Sequence, residues 1–316
     1  MNPFICVSVF IIALSSFFFL TGYLCFVRAC KRSLRRDPAA RGYINFDRYG
    51  KDRELMIRAV DQYEKIPKES ICIDAFDGIK LHASYMRSPE CSDKTVILLH
   101  GYHSCAAADF APVVPKLLEN GYNILAVDQR SHGRSSGKYI CFGDLESRDC
   151  RSWCEYVNNR FGEGSSIYLY GVSMGASTVL MSLATELPQN VRAIVADCGF
   201  TTPWDIIKIR LIRKHKIPPY PIIYFMNYWA KNLAGFDFRS ASSTVALQKN
   251  DNVPVLLIHG DADRYVPISM SEQNHSASPQ MSRFIKFNGA AHARSSLTDS
   301  TRYLYELLNF FENCQK

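Results

Sequence analysis

Hydrophobic and polar positions divide this chain into a long apolar head and a succession of short alternating blocks. Residues 4–27 carry no charge and include Phe17-Phe18-Phe19-Leu20, a run long enough to cross a bilayer as one helix. Around residues 52–65, Leu55, Met56, Ala59, Val60 and Tyr63 recur at helical spacing and predict an amphipathic helix. Residues 70–76 and 79–87 read as two strands joined at Asp77-Gly78, a tight-hairpin dipeptide. Beyond them, apolar runs suited to strands buried on both faces alternate with helical patterns. The strands are expected at 95–100, 122–127, 167–170, 191–196, 253–259 and 282–287. The helices are expected near 106–120, at 144–160, just beyond Ser173, and at 298–312.

This rhythm predicts an α/β fold with a mostly parallel, doubly wound sheet, since right-handed crossovers place helices on both faces. One interval breaks it. About fifty residues between Phe200 and Asn252 hold Trp204, Ile206, Ile207, Ile209, Leu211 and Ile212, then the aromatic, proline-rich run from Pro218 to Trp229. So much apolar surface needs a partner or a substrate. It predicts a small helical cap at about 201–250 over the strand ends, in preference to ordinary surface helices. The expected organisation is a membrane anchor at 1–30, a basic juxtamembrane segment and connector at 31–69, and a catalytic domain at 70–316.

Charge sharpens the reading of the head. The formal net charge of +7 is concentrated between Arg28 and Arg41, where Lys31, Arg32, Arg35 and Arg36 also lie and Asp37 is the sole acid. A nucleic-acid binder would spread its basic residues over a folded face, so no nucleic-acid partner is expected. No Lys or Arg precedes the apolar run, and Tyr23-Leu24-Cys25-Phe26-Val27-Arg28 offers no small-residue cleavage site. The segment therefore reads as an uncleaved single-pass anchor through residues 4–27. Basic residues on its C-terminal side place the catalytic domain in the cytoplasm; an exported domain behind an atypical signal is the alternative. The eleven cysteines are scattered in a chain too large to need stapling. Cys150 and Cys154 lack a second Cys/His pair at metal-ligand spacing, so free thiols and no metal are expected.

Candidate chemistry centres on Gly171-Val172-Ser173-Met174-Gly175. A strand ending at Gly171 and a helix starting past Ser173 would hold the serine hydroxyl proud of the sheet on a nucleophile elbow. An activated serine needs a base, and the base needs an acid. In this arrangement the chain order is serine, acid, histidine. Asp263 follows the strand 253–259 and His292 follows the strand 282–287. Each candidate lies past the C-terminal end of an expected strand, where open α/β sheets place their sites. Asp261 competes with Asp263 but falls in the turn directly after His259-Gly260, and Asp197 is a third candidate acid. Of the eight histidines, only His292 follows the last strand in a loop of small residues; His100, His132 and His259 are expected to pin loops. Oxyanion donors are expected from the backbone N–H of Met174 and of Tyr102, the latter in the loop His100-Gly101-Tyr102-His103.

With these residues in place, the chain resembles the α/β-hydrolase superfamily, and in particular bacterial membrane-anchored serine hydrolases filed with the serine aminopeptidase S33 group. The resemblance is carried by His100-Gly101, the stretch from Asp128 to Ser135, Gly171 to Gly175, His259 to Asp263 with Val266-Pro267, and His292, and spans roughly residues 70–314. It implies an α/β-hydrolase fold, a Ser173–His292–Asp263 triad, and a loop at Asp128–Ser135 bracing the site. Prolyl aminopeptidases of that group tend to have Gly-Gly-Ser-Trp-Gly at the elbow and a larger cap, and this chain has neither. The expected activity is cleavage of a carboxylic ester, with an acyl or other lipophilic small molecule as substrate and no cofactor. A peptidase or amidase, or an acyltransferase, is the alternative. Aspartate in place of Ser173 would have suggested a haloalkane dehalogenase. A non-catalytic anchored binding protein is disfavoured because none of the three side chains is missing.

Overall fold

The computed structural model describes residues 3–32 and 44–314; Arg35, Arg36, Asp37 and Arg41 of the basic cluster lie outside the described residues. Eight strands form one sheet: β1 (Glu69–Asp74), β2 (Lys80–Met86), β3 (Lys94–Leu99), β4 (Asn123–Asp128), β5 (Ser166–Val172), β6 (Val191–Asp197), β7 (Val255–Gly260) and β8 (Ser282–Phe287). Their order across the sheet is β1-β2-β4-β3-β5-β6-β7-β8. β1 and β2 form the antiparallel hairpin, β2 pairs antiparallel with β4, and every later neighbour is parallel. The elbow strand β5 therefore lies inside the sheet, with β3 and β6 on its flanks.

Side chains of a strand alternate between faces, and this alternation divides the core in two. Val96, Leu98, Tyr168, Tyr170, Val195 and Ile258 bury on one face. There they meet helices α2 (Arg53–Lys65), α3 (Ala106–Phe110), α4 (Val114–Glu119) and α12 (Ser300–Asn313). Ile97, Leu99, Ile167, Leu169, Ile194 and Leu257 bury on the other face, against α5 (Asp144–Phe161) and α6 (Met174–Met181). Met56, Val60 and Tyr63 of the expected connector helix are buried in the first of these cores, so α2 packs as part of the folded unit. A 3-10 helix, Phe46–Asp52, leads into it and buries Tyr49.

The helix expected near 106–120 is two short helices. Pro112 and Pro115 each lack the N–H that a continuous helix would require, and the chain turns between α3 and α4. The last expected helix is α12, which follows a separate short helix, α11 (Ser295–Thr298), with Asp299 accepting from the Arg302 N–H to cap it.

Between β6 and β7 stand α7 (Pro203–Arg213), α8 (Ile222–Trp229), a π-turn at Ala230–Ala234 and α9 (Ser243–Gln248), and α10 (Ile268–Ala277) follows β7. The insertion has its own core, in which Phe200, Ile206, Leu211, Ile223, Met226 and Phe238 are buried. The apolar head forms α1 (Pro3–Cys30), a helix long and apolar enough to cross a membrane. Its far end is part of the same cap core, where Phe26 and Cys30 are fully buried. Gly22 lies so close to Phe225 of α8 that a side chain there would collide with it. All eleven cysteines are free.

Candidate active site

The four loops that carry the expected chemistry leave the same edge of the sheet, because β3, β5, β7 and β8 run parallel. Ser173 sits between β5 and α6 with φ 56° and ψ −115°, a conformation that L-residues adopt only when their surroundings impose it. The surroundings are the flanking glycines. A Cβ on Gly175 would run into the carbonyl oxygen of Leu99, and one on Gly171 into the carbonyl of Gly175. The turn is thus closed so tightly that the spacing of the motif follows from sterics.

The Ser173 hydroxyl lies 2.8 Å from His292 Nε2. His292 Nδ1 lies 2.6 Å from Asp263 Oδ2. The other oxygen of Asp263 accepts the backbone N–H groups of Tyr265 (2.7 Å) and Val266 (2.9 Å). Burial alone would raise the Asp263 carboxyl; hydrogen bonds and charge from His259 and His292 outweigh it and hold the group well below the usual carboxylate range. Of the competing acids, Asp261 accepts from the Gly289 N–H at 2.6 Å and so serves its own turn. Asp197 is fully buried and accepts the Tyr303 hydroxyl at 2.9 Å. Burial pushes Asp197 up to about 6, against the lowering by Tyr303 and the nearby histidines.

Met174 opens α6 directly after the serine. Tyr102 and Gly101 line a cavity of about 240 Å³ together with Ser173, Tyr265 and His292. The loop that carries them is shaped by Asp109, whose carboxylate accepts the Gly101 N–H at 2.7 Å and the Ser104 hydroxyl at 2.7 Å. His132 accepts the His103 N–H at 3.1 Å, and His100 faces the loop's other side through Gly101 and Gln129. Both histidines act as loop pins. Behind them, Arg130 holds Asp149 through two bonds of 2.6 Å and Asp77 at 3.0 Å, tying the loop after β4 to α5 and to the first hairpin.

Three contributors have no sequence signal of their own. Asp109 lies in an ordinary helical stretch. Tyr265 stacks on the His292 ring, with centroids 4.8 Å apart and planes at 24°, and the Arg210 guanidinium of the cap lies 3.7 Å from the centre of the Tyr265 ring. A second cavity of about 320 Å³ lies beyond Tyr102 and Tyr265, which border both spaces.

Cys198 Sγ, an Asp263 oxygen and a His292 nitrogen fall within 4.8 Å of one another. As a metal site this set is poor. Both His292 nitrogens are already engaged, and burial, with the charges of Asp197 and Asp263, raises the Cys198 thiol well above its ordinary value. A metal would need the thiolate.

Comparison with known proteins bears on the fold. The family described as serine aminopeptidase, S33 matches residues 90–217. An esterase of Pyrococcus furiosus, Pf2001, superposes with a TM-score of 0.64 at 26% identity, covering 81% of this chain and 94% of that one. The chain is an α/β hydrolase. Among curated relatives, the hydrolase is 24% identical to YqkD of Bacillus subtilis (strain 168) over 80% of its own length and 82% of the relative. It is also 24% identical to the bifunctional esterase/perhydrolase DCH of Acinetobacter calcoaceticus, over 70% of this chain and 93% of that protein.

Proposed function

We propose that the hydrolase cleaves a carboxylic ester through an acyl-enzyme on Ser173. The observation that carries this reading is the continuous hydrogen-bonded line from Ser173 Oγ through His292 to Asp263, at 2.8 and 2.6 Å. In this reaction Ser173 Oγ attacks the ester carbonyl while its proton passes to His292 Nε2. Asp263 fixes the imidazole tautomer and stabilises the imidazolium. The oxyanion takes hydrogen bonds from the backbone N–H groups of Met174 and Tyr102, a contribution commonly of about 3 kcal/mol per donor. The tetrahedral centre collapses, the C–O bond to the leaving alcohol breaks, and His292 returns the proton to it. Water then repeats the sequence on the acyl-enzyme and releases the acid. These steps need no metal or organic cofactor.

The names of two similar proteins, an esterase and an esterase/perhydrolase, favour an ester over an amide. The family name favours the second reading, a peptidase or amidase. A panel of p-nitrophenyl esters and the matching p-nitroanilides decides between them. Hydrolysis of esters alone is expected, and faster turnover of anilides would reverse the assignment.

We further take α1 as a single-pass anchor, with the catalytic part at 70–316 behind the segment 31–69, whose helix α2 packs onto it. The support is that Phe4, Ile5, Val9, Phe10, Ile11 and Ile12 are exposed on α1, which suits lipid and not water. The basic residues from Arg28 onward favour a cytoplasmic side for this part. A reporter fused after Lys316 should be active inside the cell, and activity only outside would reverse the orientation.

A further inference from the structure

One wall of the second cavity is the apolar N-terminal helix itself. Cys25 and Ala29 of α1 line it on one side, and Ile207, Leu211 and Met226 of the cap line it on the other. The helix is fixed in that position. The Tyr102 hydroxyl donates to the Ala29 carbonyl at 2.7 Å, and Arg32 donates to the carbonyls of Gly133 and Ser135 at 2.6 and 2.5 Å. The last turn of α1 is therefore tied to the loop of Tyr102, which borders Ser173, and Arg32 just past it is tied to the loop after β4, whose His132 holds His103.

The cap also reaches along the apolar part of α1. Phe19 packs 4.7 Å from the Trp229 ring and 5.6 Å from Tyr228, and the Trp229 indole N–H donates to the Phe19 carbonyl at 3.3 Å. Phe19 lies eight residues before the uncharged run ends at Val27. Beside this contact Tyr220, Tyr224 and Tyr228 are half exposed. Cations edge the cavity, with Arg28, Arg210 and Lys214 in its lining and no carboxylate among the lining residues. Tyrosine, tryptophan and basic residues at the end of an apolar span are the composition of a membrane–water interface. The exposed sides of these rings suit headgroup depth better than bulk water.

We propose that the cavity between α1 and the cap is an acyl-chain subsite that opens to the bilayer, so that the hydrolase draws a membrane-resident ester directly from the lipid phase. The proposal rests on the ester-hydrolase reading of Ser173 and adds its substrate class. The two cavities share Tyr102 and Tyr265 in their walls. A chain lying against Cys25, Leu211 and Met226 would thus point its carbonyl end towards Ser173. The size, about 320 Å³, falls within the range of small-molecule sites. The basic rim suits the phosphate layer through which such a chain would pass.

The test uses the full chain in phospholipid nanodiscs, with rates counted per fluorophosphonate-labelled site. Cys25→Phe and Ala29→Phe fill the cavity from the α1 side. In both, kcat/KM for p-nitrophenyl dodecanoate relative to the acetate is expected to fall by about tenfold or more. An unchanged chain-length profile in labelled variants overturns the proposal. A second measurement needs no variant: a diazirine-bearing palmitic acid in the nanodisc is photolysed with the wild-type enzyme. Adducts on the 203–213 peptide and on Met226 are expected, and adducts confined to residues 4–24 overturn the proposal. Failure of the ester reading itself would show separately, as wild-type enzyme that takes no fluorophosphonate.

Discussion

His259 and His292 share one oxygen of Asp263: His292 Nδ1 lies 2.6 Å and His259 Nε2 3.2 Å from Oδ2. His259 is itself held by the Ser271 hydroxyl at 2.7 Å. With two backbone N–H groups on Oδ1, every strong acceptor position of this carboxylate is engaged, and the charge is fixed in place before any substrate arrives.

Asp263→Asn should therefore lower kcat/KM by about 10³–10⁴, the order expected when the residue orienting a catalytic histidine loses its charge. Asp261→Asn, which disturbs only the Gly289 turn, should stay within a few-fold of wild type. Steady-state kinetics on p-nitrophenyl butyrate checks both, and the reverse order would transfer the role to Asp261. The depressed value of Asp263 has a definite sign for stability. Its contribution is present above the unfolded carboxylate value and is lost as pH falls through the lower folded one. The acid limb of the pH–rate profile should accordingly not originate in Asp263.

Asp197 carries the opposite sign. It is raised to about 6 by burial, so between roughly pH 4 and 6 the folded protein holds a proton that the unfolded chain has released. Stability from this group falls as pH rises through that window, by about 3 kcal/mol in all. Asp197→Asn should remove the effect: a higher Tm than wild type at pH 8 and little difference at pH 4. Thermal melts at the two pH values check it, and an equal shift at both would contradict the assignment.

Gly175→Ala should fold poorly. Its new Cβ would meet the Leu99 carbonyl, and neither β3 nor α6 can move without opening the elbow. A loss of about 3 kcal/mol is expected from overpacking of this kind. Calorimetry on the variant decides; an unchanged Tm would mean that the turn is looser than described.

Much of this was legible in the sequence, for physical reasons. Strands β3, β5 and β7 are buried on both faces, so each reads as an unbroken apolar run. Ser173, Asp263 and His292 announce themselves because each follows such a run, and the chemistry demands those residue types. The break between α3 and α4 falls at Pro112 and Pro115, which interrupt an otherwise helical stretch. Tyr265 and Arg210 carry no signal because Tyr265 meets His292 and Arg210 across the chain, whereas Asp109 serves a loop only five to eight residues before it from within a helical stretch that looks ordinary. The docking of α1 was hidden for a different reason. Its residues are apolar on every side, so nothing in the pattern separates Phe26, which enters the cap core, from Leu24, which is exposed.

The most direct measurement is active-site labelling of the full chain with a fluorophosphonate, followed by mapping of the modified peptide by mass spectrometry. One adduct per chain on Ser173 is predicted, together with loss of labelling and of ester hydrolysis in Ser173→Ala. A Ser173→Ala variant that is labelled as fully as wild type, or an adduct on another residue, would contradict the account.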